Sequence, residues 1–409
     1  MAVCERIVTL TMLQTMSDPL LDRPAATASP YSRANPFVAE LIGHERLTSP
    51  GSLKDTRHFV LSLEGSGLTY APGDSLGAFG RNGPALVEEL IALLGFEPES
   101  GVCDAEGRPT TLREALLADY IVNRANRRVM SALAERIPQG QQRNRLMEIT
   151  GDSARLSEYI ETRDYVDILK DFNQGRFESP AAFVGQLTPV APRLYSIASS
   201  PLVHPGQVHL CVDVVRYDTH GRAKKGLASG FLADHAGLFA KSIPVYVQAS
   251  RAFHLPDDGA ADIIMCGPGT GIAPFRAFLE QRIAQGATGR HWLFFGERHR
   301  ATDFLYRDQL LAWHRQGNLH RLDLAFSRDQ PHKVYVQHRL REQAAELWAW
   351  LQNGAYFYVC GDARRMAKDV HQTLIQIARE QGGLSPAAAA EYVDVTLLKS
   401  QRRYLRDVY

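Results

Sequence analysis

From Leu255 onward the chain alternates short apolar runs with helix-length segments, and this rhythm leaves few folds open. Asp262-Ile-Ile-Met-Cys266, Trp292-Leu-Phe-Phe295, Leu322-Asp-Leu-Ala-Phe326 and Tyr356-Phe-Tyr-Val359 read as buried strands. Helical segments follow, as at Pro274 to Ala284, Arg339 to Leu351 and Met366 to Ala378. Parallel strands need such crossovers, and a sheet covered on both faces needs strands that are apolar on both sides. Residues 257–409 are therefore expected to form a C-terminal α/β domain around a parallel sheet.

The earlier residues obey a different rule. Asn35 to about Asn82 alternates in strand fashion, as in His58-Phe-Val-Leu-Ser-Leu63, with turns at Glu64-Gly-Ser-Gly67 and Pro72-Gly-Asp74. Pro84 to about Pro180 switches to helical spacing through Leu86, Leu90 and Leu94, then Leu112, Leu116 and Leu117. Strands resume near Arg193–Ile197, Val208–Val215 and Ile243–Val247. An antiparallel β-barrel made of 36–83 and 181–256, interrupted by a helical insertion over 84–180, accounts for that order. Residues 1–35, with Pro24-Ala-Ala-Thr-Ala-Ser-Pro30, have the composition of an arm or linker. The fold class is thus α+β and multi-domain, which suits 409 residues better than a single core.

Composition excludes several classes. The formal charge of +1 is spread along the chain, so no electrostatic footprint for nucleic acid exists. No apolar run has the length of a bilayer span, and the first residues lack a signal-peptide pattern, so no membrane association is expected. Cys4, Cys103, Cys211, Cys266 and Cys360 are scattered without a CxxC, which argues against a disulfide framework or a metal cluster and for a reducing cytoplasm. Fourteen histidines show no metal-ligand spacing; they read as mostly surface groups, and no metal is expected.

Two anion cradles stand out. Gly267-Pro-Gly-Thr-Gly-Ile-Ala-Pro274 follows a strand and enters a helix, so Gly267, Gly269, Thr270 and Gly271, with Arg276 behind them, would admit a diphosphate at a helix N-terminus. The loop departs from GxGxxG, and the competing reading is tight packing. Gly226-Leu227-Ala228-Ser229, before a helix running from Phe231 to His235, is the second cradle. Two cradles imply two nucleotides. Arg193, Leu194, Tyr195 and Ser196 offer a flavin a guanidinium, an aromatic ring and a hydroxyl. Ser327 and Arg328 end a strand, and Lys333-Val334-Tyr335-Val336-Gln337 adds a cation, a phenol and an amide, the donors that a 2′-phosphate requires. A solvated basic loop is the bland alternative.

Hydride transfer between a flavin and a nicotinamide needs orientation and charge stabilisation rather than a strong acid or base. Ser196, Cys360 and Asp407 are the candidates for that task, although a cysteine ending a strand is also a common small core residue. Tyr409 carries the terminal carboxylate and is either a frayed end or a ring stacked on the flavin; stacking of about 0.5–1.5 kcal/mol would yield to an incoming nicotinamide.

Together these stretches resemble the FAD/NADPH half of the diflavin reductase family, a branch of the ferredoxin-NADP reductase-like proteins, and within it the flavoprotein subunit of NADPH-dependent sulfite reductases. The similarity runs from about residue 36 to the end. Arg193-Leu-Tyr-Ser-Ile-Ala-Ser-Ser-Pro201, Ala228-Ser-x-Phe-Leu-Ala-Asp234, Ser327-Arg-Asp-Gln330, Tyr358-Val-Cys-Gly-Asp362 and Arg402-Arg-Tyr-x-Arg-Asp-Val-Tyr409 carry it. The resemblance implies FAD against Arg193 to Ser196, Cys211, Val212, Asp213, Tyr217, Gly226 to Ser229 and Tyr409. It implies NADPH against Ser327, Arg328, Lys333 to Gln337 and Asp369.

Ile121 departs from the family, standing where a threonine usually contacts FAD. Residues 1–35 are also far too short for the family's FMN domain, so FMN is not expected. The implied activity is an FAD-dependent NADPH dehydrogenase passing electrons singly to a partner: a sulfite reductase haem/iron–sulfur subunit, a flavodoxin or FMN protein, or a ferredoxin. A general NADPH:flavodoxin or ferredoxin reductase is the alternative, and a non-catalytic FAD-binding scaffold subunit is the third reading.

Overall fold

The computed structural model describes residues 29–234 and 243–409. Most of the expected N-terminal arm, with Cys4, and His235 of the expected helix lie outside them.

Six antiparallel strands build the first sheet: β1 (Phe37–Arg46), β2 (Thr56–Ser62), β3 (Ser75–Ala78), β4 (Arg193–Ser196), β5 (Gln207–Asp213) and β6 (Ile243–Gln248). Their order is β4-β3-β6-β1-β2-β5, and the bridge Ile197↔Leu210 joins the two edges. Closure into a barrel leaves no open edge there. Phe59, Leu61, Leu76, Val208, Leu210 and Val245 fill the interior.

Between β3 and β4 the chain leaves for the helical insertion, whose helices include Pro84–Leu94, Arg127–Arg136, Gln141–Gly151, Ser153–Glu161 and Tyr165–Asp171. Pro84 opens the first helix, where a missing N–H costs nothing, and Asn126 accepts from Val129 N at 2.9 Å at the start of the second. The insertion packs around its own core, from Val87 to Leu187. Burial of that separate core explains how a barrel tolerates so long an interruption.

The parallel sheet contains β7 (Ile263–Cys266), β8 (His291–Glu297), β9 (Arg321–Phe326), β10 (Tyr356–Gly361) and β11 (Tyr404–Val408), ordered β9-β8-β7-β10-β11. The first strand lies in the middle. Successive crossovers run to one side through β8 and β9, then return to the other through β10 and β11, so a topological switch point opens between β7 and β10. Ligands of open α/β sheets sit there, outside the carboxyl ends of the strands.

Two readings need correction. The single helix expected over Arg339–Leu351 is two, Val336–Glu342 and Ala344–Gln352, because Gln343 leaves helical geometry at φ −103° and ψ 19°. The terminal residues form an ordered fifth parallel strand, a contact that no local periodicity announces. His58, His209 and His291 are buried, while the other described histidines are half-buried or exposed, as expected of mostly surface groups. Among the described residues, no helix is long and apolar enough to cross a membrane.

Candidate active site

The Gly267 loop lies at the carboxyl end of β7, where packing governs two of its three glycines. A Cβ on Gly267 would strike Gly271 O and the Phe275 ring, and one on Gly271 would strike the carbonyl of Cys360. Those glycines let the loop press against β10 across the switch point. Gly269 differs: its φ of 59° calls for glycine, and it begins the turn Gly269–Ile272 leading into the helix Ala273–Ala284.

Pressing the loop onto β10 brings three distant side chains together. Ser196 Oγ, at the end of β4, donates to Asp407 Oδ2 at 2.6 Å, although the residues are 211 positions apart. Cys360, paired with Asp407 in the β10–β11 ladder, donates its thiol to the same oxygen at 3.7 Å. Burial first, and the Asp407 charge second, push the Cys360 thiol well above its ordinary pKa. At neutral pH it is a thiol and a donor, not a thiolate nucleophile. One carboxylate oxygen thus gathers two protonated groups at the seam between barrel and parallel sheet.

Tyr409 completes the cluster. Its N–H donates to Gly361 O and an oxygen of its terminal carboxylate accepts from Ala363 N, both at 3.1 Å, so the ladder continues to the last residue. The hydroxyl meets Thr270 Oγ1 at 2.9 Å, yet the residue stays 56% exposed. The competing reading, a frayed end, does not describe this geometry.

On the barrel side, Arg193 is exposed and Leu194 and Tyr217 are open, while Tyr195 is half-buried with its phenol pushed up to about 12 by burial. Tyr217 sits on the ribbon Arg216–Thr219/Arg222–Lys225, opposite Lys224. The helix Leu227–Asp234 begins beside a cavity of about 440 Å³ lined in part by Asn123, Lys225, Gly226 and Leu227. Ser229 Oγ accepts from Val215 N at 3.2 Å, fixing that turn. An exposed guanidinium, exposed aliphatic and aromatic side chains and a helix start beside a cavity suit a planar dinucleotide such as FAD.

Further along β5, Cys211 and Val212 are buried. The Cys211 thiol, pushed up to about 12 by burial, lies against the Tyr306 hydroxyl; Asp213 accepts from Thr56 Oγ1 at 3.2 Å. Ile121 is half-buried, paired with Thr188. Two residues on, Asn123 donates to Lys225 O at 2.9 Å, a link to the Gly226 turn missed from the sequence.

At the other end, Ser327 N donates to Glu297 O and Arg328 N to Arg298 O, both at 2.9 Å. Arg328, Lys333 and Tyr335 are exposed, and neither cation has a carboxylate partner among the described residues. Gln337 donates to Asp369 at 3.1 Å. Val334 and Val336 belong to the core, so only their backbone is open to a ligand.

Arg276 requires a correction. It is 7% exposed and donates to Ala198 O at 2.5 Å and Gln309 Oε1 at 2.8 Å, and it pairs with Glu280 at 2.8 Å. Its donors bind the helix Ala273–Ala284 to the segment after β4, not a diphosphate. Sequence reasoning also missed Lys54 and Glu297, which form an ion pair between the barrel and β8.

Residues 29–231 match the family described as FAD binding domain, and residues 265–372 match the oxidoreductase NAD-binding domain. The chain is similar to the sulfite reductase [NADPH] flavoprotein alpha-component of Bacillus subtilis (strain 168), with 44% identity over 392 residues, covering 94% of this chain and 64% of that protein. The protein of the same name from Escherichia coli (strain K12) is 45% identical over 383 residues, covering 93% and 62%. The chain therefore spans less than two thirds of the length of these relatives.

Proposed function

The chain belongs to the oxidoreductase family that joins an FAD-binding domain to an NAD-binding domain, and from that premise we propose that it moves a hydride from NADPH to FAD and hands electrons singly to a protein acceptor. The favoured setting is sulfite reduction in a reducing cytoplasm, serving cysteine biosynthesis, with a haem/iron–sulfur subunit as acceptor. A flavodoxin, another FMN protein or a ferredoxin is the alternative acceptor. When bound, FAD supplies a two-electron acceptor able to release electrons one at a time.

The observation that carries this reading is the convergence of Ser196, Cys360 and Asp407 beside the Thr270–Tyr409 pair. In the proposal, residues 36–83 and 181–256 hold the flavin, residues 84–180 brace it, and residues 257–409 hold the dinucleotide. Arg193 and the amides of Leu227 and Ala228 take the FAD diphosphate; Leu194, Tyr195, Tyr217 and Tyr409 bracket its rings. Ser327, Arg328, Lys333, Tyr335, Gln337 and Asp369 form the 2′-phosphate end, and Gly269 and Thr270 lie under the middle of the dinucleotide. Asp407 then offers negative charge where a nicotinamide becomes cationic, and the Ser196 hydroxyl fixes the approach.

An anaerobic titration of the FAD-loaded protein with NADPH tests this directly. Flavin absorbance is expected to bleach at about one equivalent per FAD, the stoichiometry of a hydride. A flavin that remains oxidised with NADPH but bleaches with dithionite overturns the reading in favour of a scaffold. Mixing the reduced protein with each candidate acceptor then identifies the partner by which one reoxidises it.

A further inference from the structure

We propose that Lys54 is a positioning residue for the dinucleotide, acting by cancelling the charge of Glu297 beneath the dinucleotide's path. The inference rests on the NADPH reading above and concerns residues to which that reading gives no role.

Glu297 ends β8, between the ends of β7 and β9. Its side chain is 3% exposed and lies at the foot of both loops assigned to the dinucleotide. A Cβ placed on Gly269 would be 3.4 Å from Glu297 Oε1, and the Glu297 carbonyl accepts from Ser327 N at 2.9 Å. A ligand that reaches from the Gly269 turn to Arg328 crosses this carboxylate. Its diphosphate is anionic, so an unbalanced Glu297 would repel it at short range in a poorly solvated place.

Lys54 supplies the balance from the other domain. Its ammonium pairs with Glu297 Oε1, lies 4.0 Å from Asp213 Oδ2, and would be 3.8 Å from a Cβ on Gly269. The placement is built rather than incidental. The Lys54 carbonyl accepts from Arg46 Nη2 at 3.0 Å and Thr48 Oγ1 at 3.1 Å, and its N–H donates to Ser52 Oγ at 2.9 Å. The same loop is stitched to the segment after β8 by Ser49 N to Thr302 O at 2.8 Å and by a hydrogen bond from Ser52 to the buried Asp303. Arg298 N meanwhile donates to Glu297 Oε2 at 2.7 Å, fixing the carboxylate. The dinucleotide face is electrostatically complete only while barrel and parallel sheet are docked.

Anaerobic stopped-flow reduction of the FAD-loaded protein by NADPH and by NADH, read as half-saturation and limiting rate, distinguishes this from a merely structural pair. Lys54→Met is expected to raise the half-saturation concentration for both cofactors by roughly tenfold, with the limiting rate nearly unchanged. The double variant Lys54→Met/Glu297→Gln is expected to recover most of that loss, because the carboxylate nearest the Gly269 turn no longer carries a charge. Glu297→Gln alone frees the ammonium and is expected to lower half-saturation for both cofactors.

Unchanged half-saturation in Lys54→Met, or a double variant as impaired as the single, overturns the proposal. Should Lys54→Met fail to fold, Glu297→Gln decides: an unchanged or raised half-saturation also overturns it. A wild-type flavin that NADPH does not reduce refutes the functional reading itself and is seen before any variant is made.

Discussion

The flavin end and the 2′-phosphate end of the proposed site are built on opposite plans. Ser196, Cys360 and Asp407 come from three strands, are largely sheltered, and satisfy one another before any ligand arrives. Arg328, Lys333 and Tyr335 come from a single stretch and stand in solvent, and among the described residues the two cations have no carboxylate partner. Preorganisation favours rate, because nothing has to reorder when charge develops; an open cationic loop favours selection, because its donors are engaged only by a ligand that carries the extra phosphate. The two ends should therefore fail differently when altered.

The largest effect is expected at the sheltered end. Asp407→Asn removes the charge that holds both the Ser196 hydroxyl and the Cys360 thiol, and it should slow limiting flavin reduction by roughly 10²–10³-fold, the scale for losing one preorganised electrostatic group. Half-saturation should move little. Stopped-flow flavin absorbance measures both; a large change in half-saturation with an intact limiting rate would erase the proposed contrast.

The open end should show the reverse. Arg328→Ala forfeits a charged contact of about 1.5–3 kcal/mol, so half-saturation for NADPH should rise roughly 10- to 100-fold while that for NADH stays put. An unchanged NADPH-to-NADH preference would remove Arg328 from the 2′-phosphate site.

The same contrast explains what was legible in the sequence. Arg328 and Lys333 belong to one short stretch, so strand end, loop and donors could be read together. The proposed trio was legible as residue types, but its geometry was not: the shared Asp407 oxygen is reached from 211 and 47 positions away. Lys54 and Glu297, 243 positions apart, left no local signal, and Arg276 looked like part of the Gly267 loop until its donors were seen to cross the seam. Apolar runs revealed β7, β8 and β10 because both faces are buried, whereas the edge strand β9 is only half-buried over its first four residues. The ribbon Arg216–Thr219/Arg222–Lys225, largely polar and exposed, did not stand out, nor did Tyr404–Val408, whose partner strand begins at Tyr356.

The seam between the ends adds a pH test. His58 and His209, from β2 and β5, share a hydrogen bond of 3.2 Å, and His204 stacks on His209 with ring centres 4.1 Å apart. From the parallel-sheet side Tyr306, Arg276 and Glu280 face them; Tyr306 meets His58 at 2.8 Å and Glu280 meets His204 at 3.2 Å. Burial, then the neighbouring cations, lowers His58 to about 3 and His209 to about 2. Both pKa values are depressed in the folded state, so the unfolded chain takes up protons first. The stability these groups contribute is complete above about pH 6.5 and declines as pH falls toward 3. The slope is at most about 1.4 kcal/mol per pH unit for each group. Thermal melts between pH 8 and 5 should show Tm falling, and His58→Gln/His209→Gln should flatten the fall. A parallel fall in both proteins would place the acid-sensitive element elsewhere.

The smallest expected effect lies where the two plans meet. Tyr409 is pinned through its backbone and the Thr270 hydroxyl, like the sheltered trio, but its ring is open, like the cationic loop. If the ring covers the flavin face, a nicotinamide must displace stacking of about 0.5–1.5 kcal/mol, a roughly 2- to 12-fold toll levied on NADPH and NADH alike. NADPH recovers that cost through Arg328 and Lys333, whereas NADH has no phosphate with which to do so. At a cofactor concentration that saturates with NADPH but not with NADH, Tyr409→Ala should therefore raise flavin reduction by NADH several-fold and leave that by NADPH nearly unchanged, relaxing discrimination without touching the 2′-phosphate donors. Combining it with Arg328→Ala sharpens the point, because the double variant should treat the two cofactors nearly alike. Equal gains for NADH and NADPH at that concentration would mean that the ring acts on a step after binding, and the terminal residue would then be a flavin contact with no part in cofactor choice.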